Sequence, residues 1–213
     1  MKAIIIIIIL FVLCVIPIAA FSQSTFADSD KYTQFPKEYQ DEANLIKHII
    51  PDKNYTYWEL VGFSGYDLKS YGKVLFTSGE KPVGINFVNP KNGFTFDCPP
   101  GICYKYIAYV YNGQVGYITQ TDDFVKFMGS IDNLEEAALL AEFSRGAYNP
   151  LRIANQKKGG AYLKTETGYE IIVTHGETCP VSLEAIKLTI DKTGILKQES
   201  LGVYYKSTDC YKI

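Results

Sequence analysis

Residues 103–119 read CYKYIAYVYNGQVGYIT, and the Asn112-Gly113 pair at their centre constrains the fold more than any other feature of the chain. Asn-Gly suits the two positive-φ positions of a type I′ turn, whose twist matches that of paired antiparallel strands. The spacing predicts a hairpin of 103–111 with 114–119. Three other stretches carry related turn chemistry. Asn89-Pro90-Lys91-Asn92-Gly93 joins PVGINFV to FTFDC, with Pro90 presetting φ and Gly93 free to reverse the chain. Thr165–Gly168 separates AYLKT from YEIIVTH, and Asp191–Gly194 separates VSLEAIKLTI from ILKQESLGVYY. The last third therefore reads as a four-stranded meander. YTYWELVGF (55–63) and GKVLFT (72–77), rich in aromatic and β-branched residues and bounded by glycines, read as two more strands. Seventeen tyrosines against one tryptophan and two histidines fit the same β-rich body.

Helical spacing appears in three places. Pro36 opens PKEYQDEANLIKHIIP, where Tyr39, Ala43, Ile46 and Ile50 recur on one face up to the stop at Pro51, with His48 near the cation-favouring end. In TDDFVKFMG, Thr121 is the expected cap, Asp122 and Asp123 complement the helix dipole, Phe124 and Phe127 share a face, and Gly129 terminates. In IDNLEEAALLAEFSRG, Asp132 and Glu135 have the spacing of a capping box. Leu134, Ala138 and Ala141, extended by Ala137, Leu140 and Ser144, make a small-residue face for close packing on a sheet. The expected class is α+β: a mainly antiparallel sheet with an N-terminal helix and a helical pair inserted after the 103–119 hairpin.

The chain opens MKAIIIIIILFVLCVIPIAAFSQS, with Lys2, an apolar run from Ala3 to Phe21 broken by Pro17, and small residues ahead of a cut between Ser22 and Gln23. That is the form of a secretory signal. The run also approaches the ~20 residues that span a bilayer, so anchoring by residues 3–21 is the alternative. Cys14 follows Leu13 deep in this run, unlike a lipid-attachment cysteine. The organisation reads as a signal peptide at 1–22, a loose leader at 23–35 and a single domain at 36–213, secreted or periplasmic. Lys plus Arg number 21 against 23 Asp plus Glu, without a basic stripe. This excludes nucleic acid as an expected partner, and a membrane enters only if the N-terminal segment stays uncleaved.

Beyond the leader stand four cysteines, Cys98, Cys103, Cys179 and Cys210, an even number that in an exported protein reads as two disulfides. Three connectivities are open. The Pro-Pro-Gly between Cys98 and Cys103 can fold those two together, and Cys179 then pairs with Cys210 by default. Redox chemistry is disfavoured because the spacing is Cys-x₄-Cys and a strand follows, whereas a reactive thiolate is usual at a helix N-terminus in Cys-x-x-Cys. A zinc site lacks a second close pair.

No catalytic, cofactor-binding or metal-ligating set emerges. THGETCP (174–180) alternates His175, Glu177 and Cys179, which share a face if the strand runs on. Gly176 and Pro180 predict that it has ended there. Asp122-Asp123 and Glu135-Glu136 occupy first turns where carboxylates are expected anyway. GFSGYD (62–67) lacks the spacing of a nucleophile elbow. The tyrosines are the better binding candidates. On 103–111, Tyr104 and Tyr106 project to one side and Tyr109 and Tyr111 to the other, so that one pair joins the core and the other is available to stack on sugars or peptides. Cross-strand packing around the hairpin is the competing account.

GQVGYITQTDDFVKFMGSIDNLEEAALLA (113–141), ETCPVSLEAIKLTIDKTGIL (177–196) and the FSQ junction resemble the core of small secreted Bacteroidota proteins of unassigned function. The resemblance covers about half of the chain beyond the leader and implies an exported bacterial protein, without an activity. The functional expectation is a non-catalytic binding or inhibitory module for a protein, peptide or glycan, with a secreted hydrolase using dispersed carboxylates or histidine as the alternative. If the sulfurs are staples, Cys98, Cys103, Cys179 and Cys210 of the exported protein resist alkylation until reduced; mass spectrometry under non-reducing conditions reads this directly.

Overall fold

A computed structural model of the chain describes residues 31–40, 42–65, 70–95, 102–145, 160–208 and 210. The expected signal peptide, the first residues of the leader and Cys98 lie outside them. Strand β1 (Thr33–Gln34) is followed by a 3-10 turn (Lys37–Gln40) and helix α1 (Glu42–Ile46). Strands β2 (Tyr57–Gly65), β3 (Lys73–Gly79), β4 (Phe94–Thr95), β5 (Ile102–Tyr111) and β6 (Gln114–Ile118) come next. Helices α2 (Thr121–Met128) and α3 (Leu134–Arg145) then precede β7 (Ala161–Lys164), β8 (Gly168–Thr178), β9 (Val181–Asp191) and β10 (Leu196–Lys206).

The α+β class holds, but the strands divide between two antiparallel sheets rather than one. The C-terminal sheet runs β1-β7-β8-β9-β10; the N-terminal sheet runs β3-β2-β5-β4, with β6 also on β5. The Asn112-Gly113 hairpin forms as its chemistry requires, with φ of 50° and 75° and Tyr111 opposite Gln114. The meander forms too, with turns where Thr165–Gly168 and Asp191–Gly194 place them. Asp191 holds the second turn through its carboxylate, which accepts from the Thr193 and Ile195 amides at 2.8 and 3.0 Å and is thereby held below the usual carboxylate range, with the Thr193 side chain the largest influence.

Several expectations are corrected. The N-terminal helix is two short pieces, and the chain leaves α1 after Ile46, so Ile50 does not continue its face. Ile50 is 75 % exposed, while Leu45, Ile46 and Ile49 are buried. The end of the leader is not loose: Thr33 and Gln34 pair with Tyr162 and Ala161, and Phe35 is buried against Tyr39 and Tyr162. PVGINFV makes no strand, and of FTFDC only Phe94 and Thr95 pair among the described residues. Pro82–Ile85 instead closes a turn, the Ile85 amide donating to the Pro82 carbonyl at 3.3 Å with Gly84 at φ 84°. The residue capping α2 is Gln120, not Thr121, and it makes no side-chain cap bond. The capping box of α3 sits one residue later than expected. Asn133 Oδ1 accepts from the Glu136 amide and Glu136 Oε2 from the Asp132 amide, both at 2.8 Å.

The small-residue face of α3 belongs to a helix enclosed all round from Glu136 to Phe143, with Leu134 half-buried and Ser144, expected on that face, exposed. Ala137, Ala138, Leu139, Leu140 and Ala141 are all buried, as are Glu136, Glu142 and Phe143 around them. α3 touches β8 of one sheet and β4 of the other, with α1 and α2 alongside. One apolar core therefore joins Ile171, Val173, Ile186 and Leu188 to Trp58, Leu60 and Ile107 across the helices. Phe94 of β4 stacks on Phe143 of α3 at 4.1 Å between centroids. Helices enclosed on all sides tolerate no added bulk. Ala138→Leu is expected to lower stability by about 1–3 kcal/mol, read as a lower urea midpoint with an unchanged slope.

Candidate binding site

The alternation of β2 and β5 produces the site. Tyr57, Glu59, Val61 and Phe63 leave β2 on the face turned away from the helices, opposite Val110, Ala108, Tyr106 and Tyr104 of β5. With Phe87 they form a second apolar cluster, edged by Tyr71, Ile85 and Tyr117. Residues 80–93 cover it, and tyrosine hydroxyls fasten them. Tyr104 donates to the Pro90 carbonyl at 2.6 Å and Tyr106 to Asn89 Oδ1 at 2.9 Å. Tyr117 Oη accepts from the Val88 amide at 3.0 Å. Asn89 also accepts from the Gly72 amide at 3.0 Å and donates to the Ser70 carbonyl at 2.6 Å, tying the covering segment to the β2–β3 connection.

A carboxylate lies within this cluster. Glu59 is 2 % exposed and accepts from the phenols of Tyr57 and Tyr71, each at 2.5 Å. No described cation lies within ion-pair distance of it. Burial and these bonds raise the pKa values of Tyr57 and Tyr71 above the ordinary phenol range, so both stay neutral donors. Lys81 lies over the outer rim, its Nζ 4.4 Å from the Phe87 ring centroid and 6.0 and 5.9 Å from those of Tyr57 and Tyr71. The arrangement is an aromatic box backed by a buried carboxyl group. Its sequence signal is weak, because Tyr57, Glu59, Tyr71, Lys81 and Phe87 are scattered and become neighbours only through the sheet and the loop above it.

The four tyrosines expected as binding residues divide between faces as the alternation predicts. Tyr104 and Tyr106, 1 % and 0 % exposed, are walls of the second cluster and offer no face to a ligand. Tyr109 and Tyr111 lie on the opposite side, half-buried against Tyr55, with ring centroids 4.9 and 5.4 Å away. Cross-strand and cross-layer packing engages all four.

His175 and Glu177 do share a face, because β8 runs through Gly176 to Thr178; they meet at 3.1 Å. The expected strand end at Gly176 is thus displaced, since β9 pairs with β8 up to Thr178. Cys179 is bonded to Cys210, with Cα atoms 4.4 Å apart and a sequence separation of 31. A loop of that size contributes about 3–4 kcal/mol through the unfolded chain. Cys103 is also in a disulfide, with Sγ 3.3 Å from Ser64 Oγ. The acidic pairs serve structure: Glu135 accepts from Tyr39, Glu136 caps α3, and Asp123 pairs with Lys126. Among the described residues no group of His, Cys, Asp and Glu is arranged to hold a metal ion, and no helix is long and apolar enough to cross a membrane.

A second charged cluster escaped sequence reasoning. Lys105 of β5 bridges Glu42 of α1 and Glu142 of α3, the latter at 3.0 Å. The other oxygen of Glu142 is buried without a hydrogen-bond partner among the described residues. Burial, opposed by Lys105 and reinforced by the neighbouring Glu42, pushes the Glu142 carboxyl up to about 8. Comparison of the chain with protein-family models, curated proteins and solved structures found no match.

Two outcomes follow. A folded-state pKa raised above the ordinary glutamate range contributes stability that is complete below that range and is lost as pH rises through about 8. Glu142→Gln is expected to flatten that decline, measured as urea midpoints across the interval. Asn89→Ala leaves the Gly72 amide and the Ser70 carbonyl without this partner and is expected to cost about 1–3 kcal/mol, seen as a lower thermal midpoint.

Proposed function

We propose that this protein is an exported, non-catalytic binding module whose contact element is the 80–88 loop. The observation that carries the reading is a loop with apolar side chains outward and its backbone fastened inward. Val83 is fully exposed at the Pro82–Ile85 turn and Val88 is 66 % exposed. Beneath them Phe87, Ile85 and the tyrosine hydroxyls hold the segment to the sheet. A loop immobilised before binding loses little conformational entropy on contact, which favours recognition of a protein, peptide or glycan surface. Export is supported by the leader and by the disulfides, which persist in oxidising compartments. The likeness to secreted Bacteroidota proteins points the same way.

The hydrolase reading is favoured by one observation, the raised carboxyl of Glu142 beside Glu42. Against it, the side chains of Glu142, Glu42 and Lys105 are only 7 %, 15 % and 12 % exposed, so the group is closed to a substrate. To test the loop, a photo-crosslinking phenylalanine analogue is placed at Val83 and, as control, at the exposed Glu166, in cells exporting the protein. A discrete adduct from position 83, absent from 166 and lost with Val88→Asp, is expected. No adduct, or the same one from both positions, rejects the reading.

A further inference from the structure

Glu59 poses a physical question. A carboxyl group removed from water needs hydrogen-bond partners for its oxygens. It has two phenols and, among the described residues, no ion pair. Both phenols are thereby polarised toward it, and it is their rings that lie beneath the rim. A phenol donating to a carboxylate has a more electron-rich ring, and a cation over that ring is held more strongly. Tyr57 and Tyr71 are both such rings, and Phe87 completes the rim. The position that a cation would take is occupied by the chain's own Lys81, which is itself solvent-exposed.

We propose that the box formed by Tyr57, Tyr71 and Phe87 over Glu59 is a recognition site for a quaternary ammonium group, with Lys81 as a tethered occupant that the ligand displaces. The chemistry of the walls selects the ligand. An aromatic rim offers π faces but few acceptors, and Glu59 already receives two hydrogen bonds. Primary ammonium and guanidinium groups have N–H donors that would lose water without replacement there. A trimethylammonium group has none, and its diffuse charge suits aromatic faces. Lys81 belongs to the exposed rim, where an ammonium need not give up its water as it would deeper among the rings. Removing its tethered charge removes a competitor present at high effective concentration. The proposal rests on the reading of the 80–88 segment as the contact element and names the chemistry that its base would take.

The test uses the full exported chain and titration calorimetry with tetramethylammonium and choline. Phosphatidylcholine vesicles form a further arm, separating a free solute from a lipid headgroup. Binding to any of these probes is expected, strengthened at least about tenfold by Lys81→Ala, since each 1.4 kcal/mol of relieved competition is tenfold. Tyr71→Phe keeps the ring and loses one bond to Glu59, and is expected to weaken binding severalfold while leaving the fold intact. Glu59→Gln is expected to weaken binding likewise, and Tyr71→Phe decides the matter should the Glu59 variant fail to fold. The neutral isostere 3,3-dimethylbutanol is expected not to bind. The proposal is overturned if neither wild type nor Lys81→Ala binds any probe, if the neutral isostere binds equally, or if Tyr71→Phe binds unchanged. Calorimetry reads the box and the Val83 adduct reads the loop, so an adduct without ammonium binding removes this proposal alone, and ammonium binding without an adduct removes the other alone.

Discussion

The enclosure of α3 between the two sheets is the constraint on which the rest depends. A helix exposed on one side can carry any polar face, but one buried from Glu136 to Phe143 must suit a neighbour in every direction. Alanines at 137, 138 and 141 meet that demand by letting adjacent backbones approach closely. The larger Leu139 and Leu140 fill the spaces between layers. The two carboxylates among these residues are then obliged to find roles inside: Glu136 caps its own helix, and Glu142 meets Lys105. With the helices taking one face of the β2–β5 pair, the other face had to be covered by chain that is neither helix nor strand.

That second covering explains the tyrosine content. A segment laid over a sheet without a ladder leaves backbone groups to be satisfied, and buried amides and carbonyls need partners. Phenols supply them at the end of a large apolar ring, so one residue type both fills the second cluster and fastens its cover. Tyr117 and Tyr104 do this for the Val88 amide and the Pro90 carbonyl, and Tyr106 holds the Asn89 side chain. Tyr57 and Tyr71 turn the same capacity on a side chain, Glu59, and the result is aromatic walls polarised by their hydrogen bonds.

How much of this could be read beforehand follows from the range of each interaction. Asn112-Gly113 and Asp191–Gly194 were legible because a turn is decided by its own few residues. The meander was legible for the same reason. Asn89–Gly93 misled, since its turn chemistry is genuine but Asn89 spends its side chain on Gly72, Ser70 and Tyr106 instead of closing a hairpin. The separation of Tyr104 and Tyr106 from Tyr109 and Tyr111 followed from strand alternation; which pair would be covered did not. The Lys105 cluster and the box over Glu59 unite residues from separate elements, and no local pattern announces them.

The pairing of β1 with β7 has a bearing on how the molecule is made. A ribosome delivers Thr33 and Gln34 early and Ala161 and Tyr162 late. Throughout that interval Phe35 and the strand beside it have no mate, and an unmated strand edge is a template for association with other copies. That edge of the C-terminal sheet is therefore closed late in synthesis, once its distant complement has been made.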